Sequence, residues 1–568
     1  MRDITSDRGL DVERSHASIV EGPAISVPTA TIGDLFDAVA EKYANRTAIV
    51  FYGRKFSFRE LREKVDKLAS ALVRLGVCKG DRIAMMLLNC PEYAITFFAA
   101  AKVGAVVTPI SPVYVSSEVK HQVEDSGARI VVCMDMLYET IEKSGVLVDE
   151  VILVDVTESL PLTRKLFGKS ILRNVYTDKA KNQPGHPNNR RIHRIGELVS
   201  RSNATPPRVD IDPERDLIAL PYTGGTTGAP KGVQITHHNV VANLLQLNAS
   251  LPCLEEGKET SVSYMPFYHA AGQSLSLILC TLNGYTQVVL TTPDLDEIVH
   301  AIIRYGATFF VGAPAIYESL KDFEKSGRVD WRRLKVLICG ADALHEHTAN
   351  EWKTRWGVTL TEGYGMTETT GGTHLNPLGA QRVGSVGKPM AGVSAVLLDP
   401  DVDAYAAHGE KGEIGVRGPQ VGLGYWKRPE ATRECQAVIE GLTWWRTGDI
   451  ARVDDDGYFY FYERKRDLIK YKGLRVFARE VEEVLMAHPM IKSVGVVGVP
   501  DQKVGENVKA VIVLETDAHG LLTEGQIVEF CEDKLAHYKI PRIIEFVGEI
   551  PRTDIGKVSR REIREEIQ

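Results

Sequence analysis

The chain has 568 residues, enough for roughly three to four domain-sized units, one of them with a large core. With 44% hydrophobic and 25% charged residues it has the balance of an ordinary globular protein, and its net charge of −7 excludes a global electrostatic pull toward nucleic acid. Its eight cysteines contain no C-x-x-C pair, which speaks against a metal cluster or a disulfide framework and fits a reducing cytoplasm.

The charged start, Met1-Arg-Asp-Ile-Thr-Ser-Asp-Arg8, lacks the apolar stretch of a signal peptide, and residues 1–30 read as a poorly ordered arm. Leu35, Phe36, Val39 and Ala40 have helical spacing; Ala48–Tyr52, a turn at Gly53 and Phe56 then read as a strand hairpin. Ser57-Phe-Arg-Glu60 has the form of a capping box, in which hydroxyl and carboxylate each satisfy a free N–H. Leu61, Val65, Leu68, Leu72 and Leu75 continue the helix, and Gly76 ends it. The long apolar run Tyr93 to Ile110 is broken by Lys102 and Gly104, so it predicts a buried helix and a strand, not a membrane span.

Ile83–Leu88, Val106–Pro109, Ile130–Cys133 and Val151–Val154 are short apolar strands separated by helical patterns, which predicts crossover connections and mostly parallel sheets. Between residues 160 and 198 the pattern lapses into a basic insertion with Arg164, Lys165, Lys169, Arg173, Lys179, Lys181, Arg190, Arg191 and Arg194. A solvated insertion is the simpler reading, and a peripheral contact with an anionic inner membrane surface is the alternative.

Next comes Pro221-Tyr-Thr-Gly-Gly-Thr-Thr-Gly-Ala-Pro-Lys-Gly-Val233, a phosphate cradle by composition. Gly224, Gly225 and Gly228 can turn several N–H groups toward one anion; Thr223, Thr226 and Thr227 add hydroxyl donors, and Lys231 adds a point charge. It is not the common P-loop, which needs Gly-Lys-Ser/Thr opening a helix, because Lys231 lies between Pro230 and Gly232. The βα pattern then resumes: Phe309–Val311 runs into Gly312–Ala315, and Val336–Cys339 into Gly340-Ala-Asp342, loops placed to line a pocket. Past about Asp467 the elements shorten into a separate α+β unit: a helix near Arg479–Leu485, strands Val494–Val499 and Lys509–Leu514, a helix near Gln526–Leu535 and a strand Ile543–Val547.

Two further stretches, Glu362-Gly-Tyr-Gly-Met-Thr-Glu-Thr369 and Trp445-Arg-Thr-Gly-Asp449, complete a series. With the glycine-rich loop, in this order, they resemble the adenylate-forming superfamily of acyl-CoA ligases, luciferases and peptide-synthetase adenylation domains, from about residue 30 to the end. The resemblance implies a large α/β N-terminal domain over residues 1–465, with mostly parallel sheets in layered subdomains, and a small mobile α+β domain over 466–568. It implies that Tyr364 stacks on adenine, that Thr367 donates to the α-phosphate, and that Asp449 accepts the ribose hydroxyls together with Arg464. Glu368 would hold Mg²⁺, with Thr223 as a second, weaker metal contact. Gly340, Ala341 and Asp342 with Glu362, Gly363 and Gly365 would complete the nucleotide surface. Arg466 would be the hinge, while Lys470 and Gly473 of Ile469-Lys-Tyr-Lys-Gly473 would face coenzyme A in a second orientation. Lys557, in Pro551-Arg-Thr-Asp-Ile-Gly-Lys557, would bring the decisive charge to the α-phosphate, leaving the loop to hold the phosphates that depart as pyrophosphate. Asp554 and Ile555 depart from the small residues usual there.

His269, in Met265-Pro-Phe-Tyr-His-Ala-Ala-Gly272, would border the acyl pocket, and the small residues after it are compatible with a deep apolar tunnel. No Asp or Glu occurs from Met265 through Pro293, which argues against a substrate ammonium. The expected activity is ATP- and Mg²⁺-dependent ligation of a medium- or long-chain fatty acid to coenzyme A through an acyl-AMP. The alternatives are an aryl or short branched acid, an acyl-AMP ligase that loads a carrier protein, and an inactive nucleotide-binding regulator.

Overall fold

The computed structural model describes residues 19–161, 191–223, 229–472, 474–501, 503–515, 518, 521–551 and 560–565. A seven-stranded sheet runs in the order Ile235–Thr236, Leu217–Ala219, Val106–Pro109, Arg82–Met86, Ile130–Met134, Glu150–Val154, Arg191–Arg194, and only its first pair is antiparallel. A nine-stranded sheet is parallel from Thr361–Met366 through Val336–Cys339, Phe309–Gly312, Thr260–Ser263 and Thr286–Val289 to Thr47–Phe51, with antiparallel strands at both edges. Most residues of the central strands are buried whether apolar or polar, as in parallel sheets that are covered on both faces.

Helix Phe58–Arg74 shows how locally the pattern acts. Leu61, Val65, Leu68 and Leu72 are all buried, each stabilising the fold by roughly 1.5–3 kcal/mol relative to exposure. The Ser57 hydroxyl accepts from the Glu60 N–H at 3.1 Å, but the Glu60 carboxylate does not complete the expected box: it accepts from Arg54 at 3.1 Å. A charged partner on the neighbouring strand outcompetes a neutral N–H.

The third sheet was not anticipated. Val20–Glu21, Ser394–Leu398, Gly412–Arg417, Leu442–Val453, Gln436–Ile439 and Phe459–Arg464 form a six-stranded sheet that is entirely antiparallel. Val20 and Glu21 belong to the stretch read as an arm; pairing with Ala395 and Ser394 satisfies their backbone groups, and residues 1–18 lie outside the described residues. The basic insertion also ends in structure, since Arg191–Arg194 is an edge strand with Arg191 and His193 on the Glu150 carboxylate at 3.4 and 2.9 Å. Residues 162–190 lie outside the described residues.

Beyond residue 468 a five-stranded sheet (Leu474–Val476, Ile469–Tyr471, Gly505–Leu514, Ile491–Asp501, Ile543–Phe546) packs with helices Ala478–Met486 and Glu524–Glu532 around its own core. Where the two bodies meet, the buried Glu463 carboxylate accepts from the Arg479 N–H at 2.7 Å and from Arg560 at 2.8 Å. Arg560 also reaches Glu482 at 2.7 Å, and Arg564 reaches Asp467 at 3.2 Å. Away from this junction, Trp331, Trp352 and Trp356 form an aromatic cluster, with ring centroids 4.9 Å apart in the first pair and 4.3 Å in the second. No described helix is long and apolar enough to cross a membrane.

Candidate active site

The carboxyl ends of three parallel strands lie side by side, the position at which open α/β sheets bind ligands. Phe309–Gly312 leads to Ala313, Val336–Cys339 to Gly340-Ala-Asp342, and Thr361–Met366 to a tight 3₁₀ turn, Thr367–Thr369. Two non-glycine residues here have left-handed backbones: Ala341 at φ 71° and the β-branched Thr370 at φ 62°. Strain of this kind concentrates where function needs a fixed geometry.

Two clusters form from the expected residues. In the first, the Tyr364 hydroxyl donates to Asp449 Oδ2 at 2.6 Å, and Arg464 Nε lies 3.3 Å from Asp449 Oδ1. Asp449 and Arg464 face each other across adjacent strands, so the pair is a register partner. The Asp449 carboxylate holds the Arg464 guanidinium firmly charged, and burial beside that carboxylate pushes the Tyr364 phenol well up. Gly365 must be glycine, because a Cβ would lie 2.0 Å from the Gly371 carbonyl oxygen on the paired strand.

In the second cluster, the buried Glu368 carboxylate accepts from Tyr425 OH at 2.7 Å and from Thr223 Oγ1 at 3.4 Å. Thr223 and Lys231 pair across a two-stranded hairpin that pins both ends of the loop, and the Lys231 ammonium sits 4.9 Å from the Tyr425 ring centre. The loop residues Gly224, Gly225, Thr226, Thr227 and Gly228 lie outside the described residues, as do Gly473 and Lys557. Burial pushes the Glu368 carboxyl up, and the Tyr425 hydrogen bond only partly offsets that.

Residues that composition and spacing did not single out hold these groups. Tyr425, in Gly422-Leu-Gly-Tyr425, joins Glu368 to Lys231, and its glycine-flanked setting was the available signal. Glu413 carried no signal: its buried carboxylate accepts from Arg446 at 2.7 Å, the Gly448 N–H at 3.0 Å and Lys465 at 3.1 Å, fixing the turn that presents Asp449. His269 Nδ1 accepts from the Ala271 N–H at 3.4 Å, capping the short helix that follows. Lys470 is exposed on the hairpin of the small body, where its N–H donates to Glu506 at 2.7 Å; among the described residues, no contact joins it to the two clusters. The Arg466 guanidinium is partly exposed, 3.8 Å from Asp467.

Glu362 is buried behind Gly363, where its carboxylate accepts from the Gly384 N–H at 3.3 Å, and burial raises its pKa from 4.5 to about 7. Between those values the native state binds more protons than the unfolded chain, so this group's stability contribution is complete below the lower value and lost as pH rises through the upper. The difference amounts to about 3 kcal/mol. Glu362→Gln is expected to match the wild type at pH 5 and to melt several degrees higher at pH 8, as thermal melts at the two pH values would show.

An AMP-binding enzyme family model matches residues 36–426, and the model of the AMP-binding enzyme C-terminal domain matches 480–557. The chain is 34% identical over 548 residues to a long-chain-fatty-acid–CoA ligase of Bacillus subtilis, covering 95% of each. It superposes on the ATP-bound structure of MatB from Rhodopseudomonas palustris with a TM-score of 0.78 at 26% identity, covering 94% of this chain and 98% of that one. The apo structure of the same protein, with equal identity and coverage, gives 0.69. With its first family match alone spanning more than half of its length, this chain belongs to the AMP-binding enzyme family.

Proposed function

We propose that this protein is an AMP-forming acid–CoA ligase that activates a medium- or long-chain fatty acid in two half-reactions. The observation that carries the reading is the pair of clusters in one cleft: Tyr364–Asp449–Arg464, suited to a nucleoside, beside Glu368–Thr223–Lys231, suited to a metal-bound polyphosphate. The similarity to a long-chain-fatty-acid–CoA ligase supports the substrate class, and the closer match to an ATP-bound than to an apo relative supports an arrangement organised for the first half-reaction.

In that reaction a carboxylate oxygen attacks the α-phosphorus of ATP, the bond to the β-phosphate oxygen breaks, and pyrophosphate leaves. The Tyr364 ring would take the adenine, and Asp449 with Arg464 the ribose hydroxyls, using an Asp449 Oδ1 that is paired with Arg464 Nε at 3.3 Å and accepts no hydrogen bond among the described residues. Thr367 would donate to the α-phosphate, and Lys557 would offset charge as it builds there. Glu368 with Thr223 fits a hard cation, and Mg²⁺ bound there would screen the phosphates. Rotation about Arg466 would then bring the hairpin with Lys470 and Gly473 into the cleft, where the thiolate of coenzyme A displaces AMP from the acyl carbonyl.

Pyrophosphate release with a panel of acids, with and without coenzyme A, tests this. Acid-dependent release followed by thioester formation is expected; no acid-dependent release removes the reading, and release without thioester points to a carrier-protein acceptor. Because burial raises the Glu368 pKa, its carboxylate protonates at a higher pH than an ordinary glutamate, and metal affinity falls as pH drops through that value. The Mg²⁺ concentration for half-maximal release is therefore expected to rise from pH 8 to pH 5. Glu368→Gln should flatten that trend and lower the rate about 100-fold, as a lost charge-stabilising group does.

A further inference from the structure

Two residues one helical turn apart, His121 and Asp125, reach the stem of the glycine-rich loop from helix Ser116–Ser126, where positions i and i+4 share a face. The other face of that helix is fixed on the seven-stranded sheet. Val119 and Val123 are buried there, and Gln122 donates to Thr108 Oγ1 at 2.9 Å and to the Pro109 carbonyl at 2.8 Å. Groups carried on an element held in this way are placed more firmly than groups on a loop.

Each of the two holds one strand of the stem. His121 Nε2 lies 2.9 Å from the Pro230 carbonyl, beside Lys231; a carbonyl only accepts, so this nitrogen carries the proton. The Tyr222 hydroxyl, beside Thr223, donates to Asp125 Oδ2 at 2.7 Å. A Cβ on Gly232 would lie 3.0 Å from the Tyr222 ring, so the ring rests against the partner strand.

Asp125 also holds a second segment. Its Oδ1 accepts from Arg428 at 2.9 Å, and its backbone carbonyl accepts from Trp426 Nε1 at 3.2 Å and from the Lys427 ammonium at 2.8 Å. The Trp426 N–H in turn donates to the Gly232 carbonyl at 2.8 Å. Thr223 and Tyr425, whose hydroxyls donate to the Glu368 carboxylate, therefore each adjoin a residue tied to Asp125. The Asp125 side chain is 12% exposed, so its charge-assisted bonds are weakly screened.

We propose that Asp125, with His121, is a positioning residue for the phosphate end of the site: it sets where Thr223, Lys231 and Tyr425 stand relative to Glu368, and through them the metal-bound phosphates of ATP. The inference rests on the ligase reading above. It gives a helix of the first sheet, 97 residues before Tyr222, a share in the first half-reaction. Small displacements matter there, since about 1 Å of misplacement can cost about 100-fold in rate.

The test compares pyrophosphate release from free acid with thiolysis of supplied acyl-AMP. Asp125→Ala is expected to raise the KM for ATP about tenfold, while the KM for the acid and the thiolysis rate stay within about twofold of the wild type. Asp125→Asn keeps an acceptor for Arg428 and a partner for the Tyr222 hydroxyl, so it should recover most of the loss. Tyr222→Phe keeps the ring against Gly232 and removes only the bond to Asp125. It should raise the same KM, and its effect combined with Asp125→Ala should be less than additive, because both cut one path.

Thermal melts establish that each variant is folded. An unchanged KM for ATP in folded Asp125→Ala, or equal losses with ATP, acid and acyl-AMP, overturns the inference, assigns Asp125 to stability alone and leaves the ligase reading intact. Where Asp125→Ala does not fold, an unchanged KM for ATP in Tyr222→Phe has the same force. No acid-dependent release by the wild type removes both.

Discussion

Lys557→Ala is expected to slow acyl-AMP formation by about 10²–10³ while leaving thioester formation from supplied acyl-AMP within several-fold of the wild type. Two anions, a carboxylate and a triphosphate, must meet in the first half-reaction, and negative charge accumulates on the non-bridging α-phosphate oxygens as the new bond forms. A fixed ammonium stabilises that charge more than it stabilises bound ATP, so its loss should appear in the rate and only weakly in the KM for ATP. In the proposed cycle the second half-reaction releases AMP from an acyl group after the small body has rotated, and would have little use for the same ammonium. Lys557 lies three residues before Arg560, which is anchored to Glu463 and Glu482. Pyrophosphate release from free acid and thiolysis of supplied acyl-AMP separate the two steps; equal losses in both would remove the assignment.

Asp449→Ala should have the next largest effect, of a different kind. This carboxylate serves the Tyr364 hydroxyl and the Arg464 guanidinium within the protein and is the proposed acceptor for both ribose hydroxyls. Its removal strands a buried phenol and releases the arginine from its place, in addition to deleting the ligand contact. An increase of about 100-fold in the KM for ATP is expected, equivalent to about 3 kcal/mol. The KM for coenzyme A should change little. Tyr364→Phe keeps the ring and loses only the hydroxyl, so it should cost about tenfold or less. Comparable losses in the two variants would mean that Asp449 acts mainly by holding the tyrosine.

Local signals in the sequence were strong wherever one element decides its own shape. Helix Phe58–Arg74 and the parallel strands around Arg82–Met86 and Phe309–Gly312 follow from apolar spacing, capping and strand-length apolar runs, and the structure has them within a residue or two. The antiparallel sheet was not legible because its strands after residue 394 alternate buried and exposed positions only irregularly, and Val20–Glu21 finds its partner more than 370 residues away. The site shows the same division. Tyr364, Glu368 and Asp449 were recognisable from their motifs, whereas Tyr425 and Glu413 matter through contacts that only the folded chain creates.

The tryptophan cluster has a practical consequence for anyone following this protein by light. All six tryptophans lie between residues 331 and 445: three in the cluster, two beside each other at Trp444 and Trp445, and Trp426 against the Asp125 carbonyl. The body after residue 468 contains none, so selectively excited tryptophan emission has no reporter within it, and a melt read that way follows the large body. Trp445, whose ring centre lies 5.7 Å from that of Tyr425, is a built-in reporter beside the Glu368 cluster. A change in its emission on adding nucleotide would provide an optical titration of the site without a label.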